Sequence, residues 1–222
     1  MSDAVHLVRA VSDETMRKSD VWTIANKIPS KELMRRAGEG IFNATCWNAP
    51  VAIVCGKGNN AGDGYVVADF LHKAEIDCTI ILLADKFSED GMYYYNICRE
   101  HGIKTVMFDE GMSFASYGKI LDCILGTGFS GDVKGAAKAA IEAINASGAY
   151  VISADINSGL NGDTGMGETF VRSDMTVSIG DFILGHFKCL ADEAMKKKVN
   201  VDIGIEIQGP VELIETSTVN GI

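Results

Sequence analysis

Seven short apolar runs constrain this chain more than anything else in it: VAIVC (51–55), CTIILL (78–83), TVMF (105–108), ILDCIL (120–125), YVISADI (150–156), MTVSIG (175–180) and VNVDIGI (199–205). Stretches of helical composition separate them. The runs are apolar at successive positions, so the strands they form must be covered on both faces. Strands of that kind alternating with helices build a parallel α/β sheet, which binds ligands at the C-terminal ends of its strands. The reading is a single domain over 1–222, with a helical N-terminal segment (1–50), a core (51–205) and a tail (206–222). In the N-terminal segment, Ser12 with Asp13 and Glu14 forms a helix start. Ser30 with Glu32 begins a second helix, whose Leu33, Met34, Ala37 and Ile41 share one face.

Composition removes several functions. The net charge of −10 sets up a field that repels polyphosphate at long range and argues against nucleic-acid binding. The six cysteines, at 46, 55, 78, 98, 123 and 189, contain no C-x-x-C pair and fit a reducing compartment. The opening MSDAVHLVRAVSDET lacks the basic start and apolar block of a leader, and no apolar run approaches the ~20 residues of a membrane span. A cytoplasmic protein that leaves membranes alone is the simplest expectation. The 24 glycines against 3 prolines predict loops with special backbone geometry. The lysines at 196–198 read as a solvated turn, and MYYY (92–95) as part of a helix with at least one tyrosine facing the sheet.

Three strand ends carry unusual polar loops: GKGNNAGDG (56–64), GTGFSGD (126–132) and DINSGLNGDTG (155–165). The first satisfies the dinucleotide fingerprint G-x-G-x-x-G/A literally, yet a dehydrogenase would need an acid ~20 residues later on a strand end. Asp77 precedes its strand and Asp85 comes late, so hydride transfer fits poorly. Asp63 would repel a phosphate unless something intervenes, although it is also an ordinary residue for the first turn of a helix. Asp122 sits in the middle of an apolar strand, where an unpaired carboxylate costs several kcal/mol. For the set as a whole, a hard cation held by Asn60, Asp122 and Ser158 explains most, and a single carboxylate suggests a monovalent ion. The four histidines, at 6, 72, 101 and 186, are not spaced as ligands of zinc or another transition metal.

The motifs N-N-x-G-D-G, G-T-G-F-S-G and D-x-x-S-G together resemble those of the NAD(P)H-hydrate epimerases, the YjeF N-terminal-type domain, and the likeness runs from SDETMRKSD to VDIGI. The resemblance implies a three-layer α/β/α Rossmann-like fold with a mainly parallel sheet and N-terminal helices, often dimeric. It implies an isomerase that interconverts the two C6 epimers of hydrated NADH or NADPH (NADHX, NADPHX) and feeds an ADP- or ATP-dependent dehydratase. By position, Asn59, Asn60, Ala61, Gly62 and Asp63 would contact the substrate. So would Gly126, Thr127, Gly128, Phe129, Ser130, Gly131 and Asp132, with Asp155 beside it. Asn60, Asp122 and Ser158 would bind potassium. Asp155 is the candidate general acid/base, because loss and return of hydroxide at C6 passes through an iminium-like cation that a nearby carboxylate stabilises.

The chain departs from the family pattern in three places. Ala61 replaces a glycine and therefore must keep φ negative. Asn157 stands where the family has proline, and GDFILGHFK (180–188) lacks a Pro-Lys pair. An alternative class is a catalytically inactive domain of the same fold, serving in RNA-decay or lipid-particle scaffolds. The presence of Asn60, Asp63, Asp122, Asp155 and Ser158 favours the enzyme.

Overall fold

The computed structural model describes residues 6–216. The first five residues and the last six of the tail, on which the readings of the chain's start and end partly fall, lie outside the described residues. All seven apolar runs are strands: β2 (Val51–Cys55), β3 (Cys78–Leu82), β4 (Lys104–Met107), β5 (Lys119–Cys123), β6 (Tyr150–Ala154), β7 (Met175–Ile179) and β9 (Lys198–Val201). They pair in parallel in the order β4-β3-β2-β5-β6-β7-β9.

Alternation along β2 builds the two faces. Val51, Ile53 and Cys55 pack under α2 (Ser30–Ala44), α3 (Asn59–Lys73) and α4 (Glu89–Glu100). Ala52 and Val54 pack on the other side against α5 (Gly135–Asn145) and the 108–117 segment. Both faces are therefore dry, and β2 is buried at all five positions. The chain winds outward from β2 through β3 to β4, then returns to place β5 on the other side of β2. The reversal between β2 and β5 opens a crevice at their C-terminal ends.

Three readings need correction. Residues 1–50 are not uniformly helical, because His6–Val11 forms β1 ahead of α1 (Asp13–Asn26). β1 pairs antiparallel with β10 (Glu212–Thr216), in the tail, and parallel with the short β8 (Phe182–Ile183), making a second sheet. The last run stops at Val201 as a strand; Ile203 and Ile205 leave the sheet and pack with Leu33 and Ala37 of α2. Lys198 does not lie in a solvated turn: its side chain is fully buried, with Nζ 2.6 Å from Asp192 Oδ1 and over the Phe187 ring.

Helix starts follow their caps. Ser12 caps α1, its Oγ accepting the Thr15 N–H at 3.2 Å. α2 begins at Ser30, with Pro29 as the capping residue and no side-chain bond to it. The expected face of α2 is buried at Leu33, Met34, Ala37 and Ile41. Within MYYY, Tyr94 is buried and gives its hydroxyl to Lys31 O, while Tyr95 stacks on Phe87.

Candidate active site

The Gly58–Asn59 junction decides what the first polar loop does. α3 starts at Asn59, so Asp63 lies one turn inside the helix and not in its first turn. The first-turn amides of α3 thus point into the crevice, where they present a ready anion site. Gly62 and Gly64 are helix residues that let α3 come close to its neighbours. A Cβ on Gly62 would meet Met34 Sδ at 2.4 Å, and one on Gly64 would meet Cys123 Sγ at 2.9 Å. Ala61 is buried in the same turn with φ negative, as its place in the motif requires.

A cleft of about 680 Å³ lies over this turn, the size of a small-molecule site. Asn59, Asn60 and Asp63 line it from α3, Gly126, Thr127, Gly128 and Phe129 from the loop after β5, and Asp155 from the end of β6. Ser130, Gly131 and Asp132 do not line it; they are exposed beyond it, with Asp132 3.8 Å from Lys134. Asp122 and Ser158 are fully buried and lie outside the lining. A second depression, among Asn145, Tyr150 and Asp174, holds none of the predicted residues.

Asp155 has an unusual backbone. Its φ is +65°, and Ile156 N–H reaches back to Ala154 O at 2.8 Å, closing a three-residue turn around it. Such a turn costs on the order of 1–3 kcal/mol and persists only where the surroundings enforce it. Three groups hold it, and Gly126 leaves room for it. The Asp155 N–H donates to Val177 O (2.8 Å), and its carbonyl accepts from His186 Nε2 (2.8 Å). The Thr127 N–H donates to Oδ2 at 3.0 Å, and a Cβ on Gly126 would touch that same oxygen, also at 3.0 Å. Burial raises the pKa of the Asp155 carboxyl above the usual carboxylate range, and the Thr127 hydrogen bonds partly offset it.

Both Asp122 oxygens have hydrogen-bond partners within the protein, which partly offset the rise in pKa that its burial causes. Oδ1 accepts from Ile124 N–H (3.2 Å) and Ser158 Oγ (2.5 Å), and Oδ2 from Ser153 Oγ (2.9 Å) and Ser158 N–H (3.0 Å). The oxygen lacking a partner is Asn60 Oδ1, buried and without a hydrogen bond, while Asn60 Nδ2 faces Leu125 O (3.0 Å) and Ala154 O (3.4 Å). Ser158 Oγ is 3.1 Å from the same Leu125 O. Turning the Asn60 amide over would add its oxygen to this group of neutral oxygens, which suits a hard monovalent cation. Among the described residues no cluster of His, Cys, Asp and Glu forms a transition-metal site.

Asn157 shows what its departure from proline achieves. It is fully buried, its Nδ2 donating to Val171 O (2.8 Å) and Ala194 O (2.9 Å) and its Oδ1 accepting from Thr176 Oγ1 (2.5 Å).

Sequence reasoning missed the acids of α1. Asp20 lines the cleft together with Met16, Arg17, Val21 and Ile24, while Asp13 lies one helical face-repeat earlier, and the spacing 13, 17, 20, 24 was the available signal. Burial, then Asp163 and Asp155, pushes Asp13 up to about 7; burial, then Asp155, pushes Asp20 up to about 6. A carboxyl whose folded pKa exceeds its unfolded value holds an extra proton in the folded state. Its stabilising contribution is complete below about pH 4 and is lost as pH rises through 6 to 7. The protein is therefore expected to melt several degrees higher near pH 5 than near pH 8, at ~2–4 °C per kcal/mol for this size. Asp20→Asn should flatten that slope in a calorimetric series, and a melting point rising toward alkaline pH would contradict the assignment.

Comparison with known proteins agrees with this architecture. The family model described as YjeF-related protein N-terminus matches residues 30–185. An NAD(P)H-hydrate epimerase of Lentilactobacillus buchneri is 35% identical over 90% of this chain and 96% of its own length. Its counterpart from Rhodopirellula baltica is 34% identical over 87% and 81%. A bifunctional NAD(P)H-hydrate repair enzyme of Coxiella burnetii is 34% identical over 73% of this chain, and the match spans only 35% of that enzyme. The crystal structure of yeast ynu0 superposes with a TM-score of 0.74 over 86% of each chain at 18% identity, a likeness of fold. With a family match over most of the chain and close relatives of nearly its own length, the protein belongs to the YjeF-related N-terminus family.

Proposed function

We propose that this protein is an NAD(P)H-hydrate epimerase, converting the R and S epimers at C6 of hydrated NADH and NADPH into one another. The observation that carries the reading is Asp155, held in a strained turn and lining the same cleft as the N-terminus of α3. The names of the relatives supply the substrate class. In this reading the first-turn amides of α3 meet the diphosphate. Asp63 does not repel it: burial first, then the charges of Asp155 and Asp20, raise its pKa far above the carboxylate range. A protonated Asp63 donates a hydrogen bond where an ionised one would oppose the anion.

The chemistry follows from placing the nicotinamide ring at Asp155. The carboxyl, its pKa raised by burial, gives its proton to the C6 hydroxyl, which leaves as water with the C–O bonding pair. The carboxylate left behind faces the iminium-like cation. Water then adds to the opposite face of C6 and returns a proton to Asp155, so atoms and charge balance over the cycle. Asn60, Asp122 and Ser158, with the Leu125 and Ala154 carbonyls, would hold a potassium ion that steadies the loops on either side. Asp122 is satisfied without it, so the ion's role rests on the unpartnered Asn60 oxygen.

The same reading takes the chain as one domain, working in the cytoplasm beside a dehydratase; its six cysteines are free, and no described helix is long and apolar enough to cross a membrane. It acts as a homodimer through its N-terminal helices, where α1 exposes Val21 and Ile24. The test is to mix the purified protein with the R epimer and follow the S epimer by chromatography against the spontaneous rate, in potassium and in lithium at equal ionic strength. Acceleration greater in potassium is expected; a rate equal to the spontaneous one would sink the epimerase, and equal rates in the two salts the ion. Sedimentation of the same sample reads the oligomeric state.

A further inference from the structure

We infer that His186 is a positioning residue for the reaction, fixing the carbonyl of Asp155 and so the direction in which the Asp155 carboxyl faces the cleft. The inference rests on the epimerase reading for its rate measurement, and on geometry alone for its cause.

His186 lies in the single 3-10 turn Leu184–Phe187 that follows β8, and it is fully buried. Both ring nitrogens are used. Nδ1 is 3.1 Å from both the Ile183 N–H and the Ile183 carbonyl oxygen, and Nε2 is 2.8 Å from Asp155 O. With the proton on Nε2 the ring donates to Asp155 O while Nδ1 accepts the Ile183 N–H; with the proton on Nδ1 it would reach Ile183 O but leave Nε2 facing the Asp155 carbonyl with no hydrogen between them, so the Nε2–H form satisfies more. That tautomer is the neutral imidazole. Burial, foremost, pushes its pKa down to about 4, so the arrangement persists across the neutral range.

The bond matters because of where its acceptor sits. Asp155 has φ +65°, which persists only while its neighbours enforce it, and relaxation to a negative φ would swing the side chain away from Thr127. The Val177 carbonyl fixes the N–H before the side chain, and His186 fixes the C=O after it. Two residues on, the Asn157 side chain anchors the chain to Val171 and Ala194. Of these anchors only His186 grips Asp155 itself by a side chain from outside the cleft wall: it is absent from the cleft lining and has no direct contact with a bound ligand to lose.

Two substitutions separate positioning from packing. Glutamine places its amide nitrogen near the position of Nε2 and can still donate to Asp155 O. Asparagine places its nitrogen near Nδ1 and falls short. His186→Gln is expected to keep kcat within about threefold of the parent, and His186→Asn to lose at least ~10-fold in kcat with KM within about twofold. Amide hydrogen exchange at Ile156 to Ser158 should quicken in the asparagine variant and stay near the parent's in the glutamine variant. Equal kcat and equal exchange in the two folded variants would overturn the proposal. If the parent protein itself does not exceed the spontaneous epimerisation rate, the function falls, and the exchange comparison alone still decides whether His186 holds Asp155. Should the asparagine variant fail to fold, His186→Met in place of it carries the same expectations, since it fills the site without a donor.

Discussion

Replacing Asp155 with asparagine is expected to lower the epimerisation rate at least ~10²-fold while moving the melting temperature by only a few degrees. Asparagine is isosteric, tolerates the same positive φ, and retains an oxygen to accept the Thr127 N–H, so the turn should survive. It cannot give or take the proton at C6, nor place a negative charge beside the cation that forms there. A hundredfold loss corresponds to about 2.7 kcal/mol of barrier, within the usual range for a single acid/base group. Chromatographic rates on the R epimer, with a melting curve as control, read both halves of the prediction. A variant of near-normal rate would remove Asp155 from the proton transfer, whatever else it binds.

The largest effect on stability is expected from Gly56→Ala. Gly56 directly follows β2, and a Cβ there would lie 2.0 Å from the Ile124 carbonyl oxygen. That carbonyl cannot give way cheaply, because the residues around it are tied down by Ile124 N–H on Asp122 and Leu125 N–H on Ser158. The methyl would therefore push β2 and β5 apart where the cleft begins. A cost of roughly 3 kcal/mol or more is expected, a fall of about 6–12 °C in melting temperature or loss of soluble protein. Gly58→Ala, two residues on, meets nothing within 4 Å and serves as the control. If both variants melt like the parent, the closeness of the two strands at this point has been misjudged.

The sheet was legible because its strands are dry on both faces, which writes them as unbroken apolar runs. Their ends were less so: VNVDIGI reads as seven strand residues, yet apolarity at Ile203 and Ile205 serves a contact with α2. In β1 the signal was present, with Val8 and Ala10 inward and Leu7 and Arg9 outward, but its partners Glu212–Thr216 lie some two hundred residues away and leave no local trace. The start of α3 was hidden by glycine, which read as loop. There it serves close helix packing, as at Gly38, where a Cβ would sit 2.4 Å from Val66. In the candidate site, Asn60, Asp63 and Asp155 could be picked out because they stand in polar stretches that follow apolar strands, Asp155 directly after β6 and the other two in the first turns of α3. Asp20 and His186 could not, since one arrives on a helix that looks merely amphipathic and the other on a turn placed by the second sheet.

That second sheet couples the extremities of the described chain to the turn that holds Asp155. His6 lies opposite Thr216, while Ala10 and Val11 pair with Phe182 and Ile183, three residues ahead of the imidazole that grips Asp155. Fraying at either extremity is thus mechanically in series with Asp155, so, if Asp155 is the acid/base proposed above, a fusion partner or deletion that unzips β1 would be felt as slowed turnover before any loss of the central core.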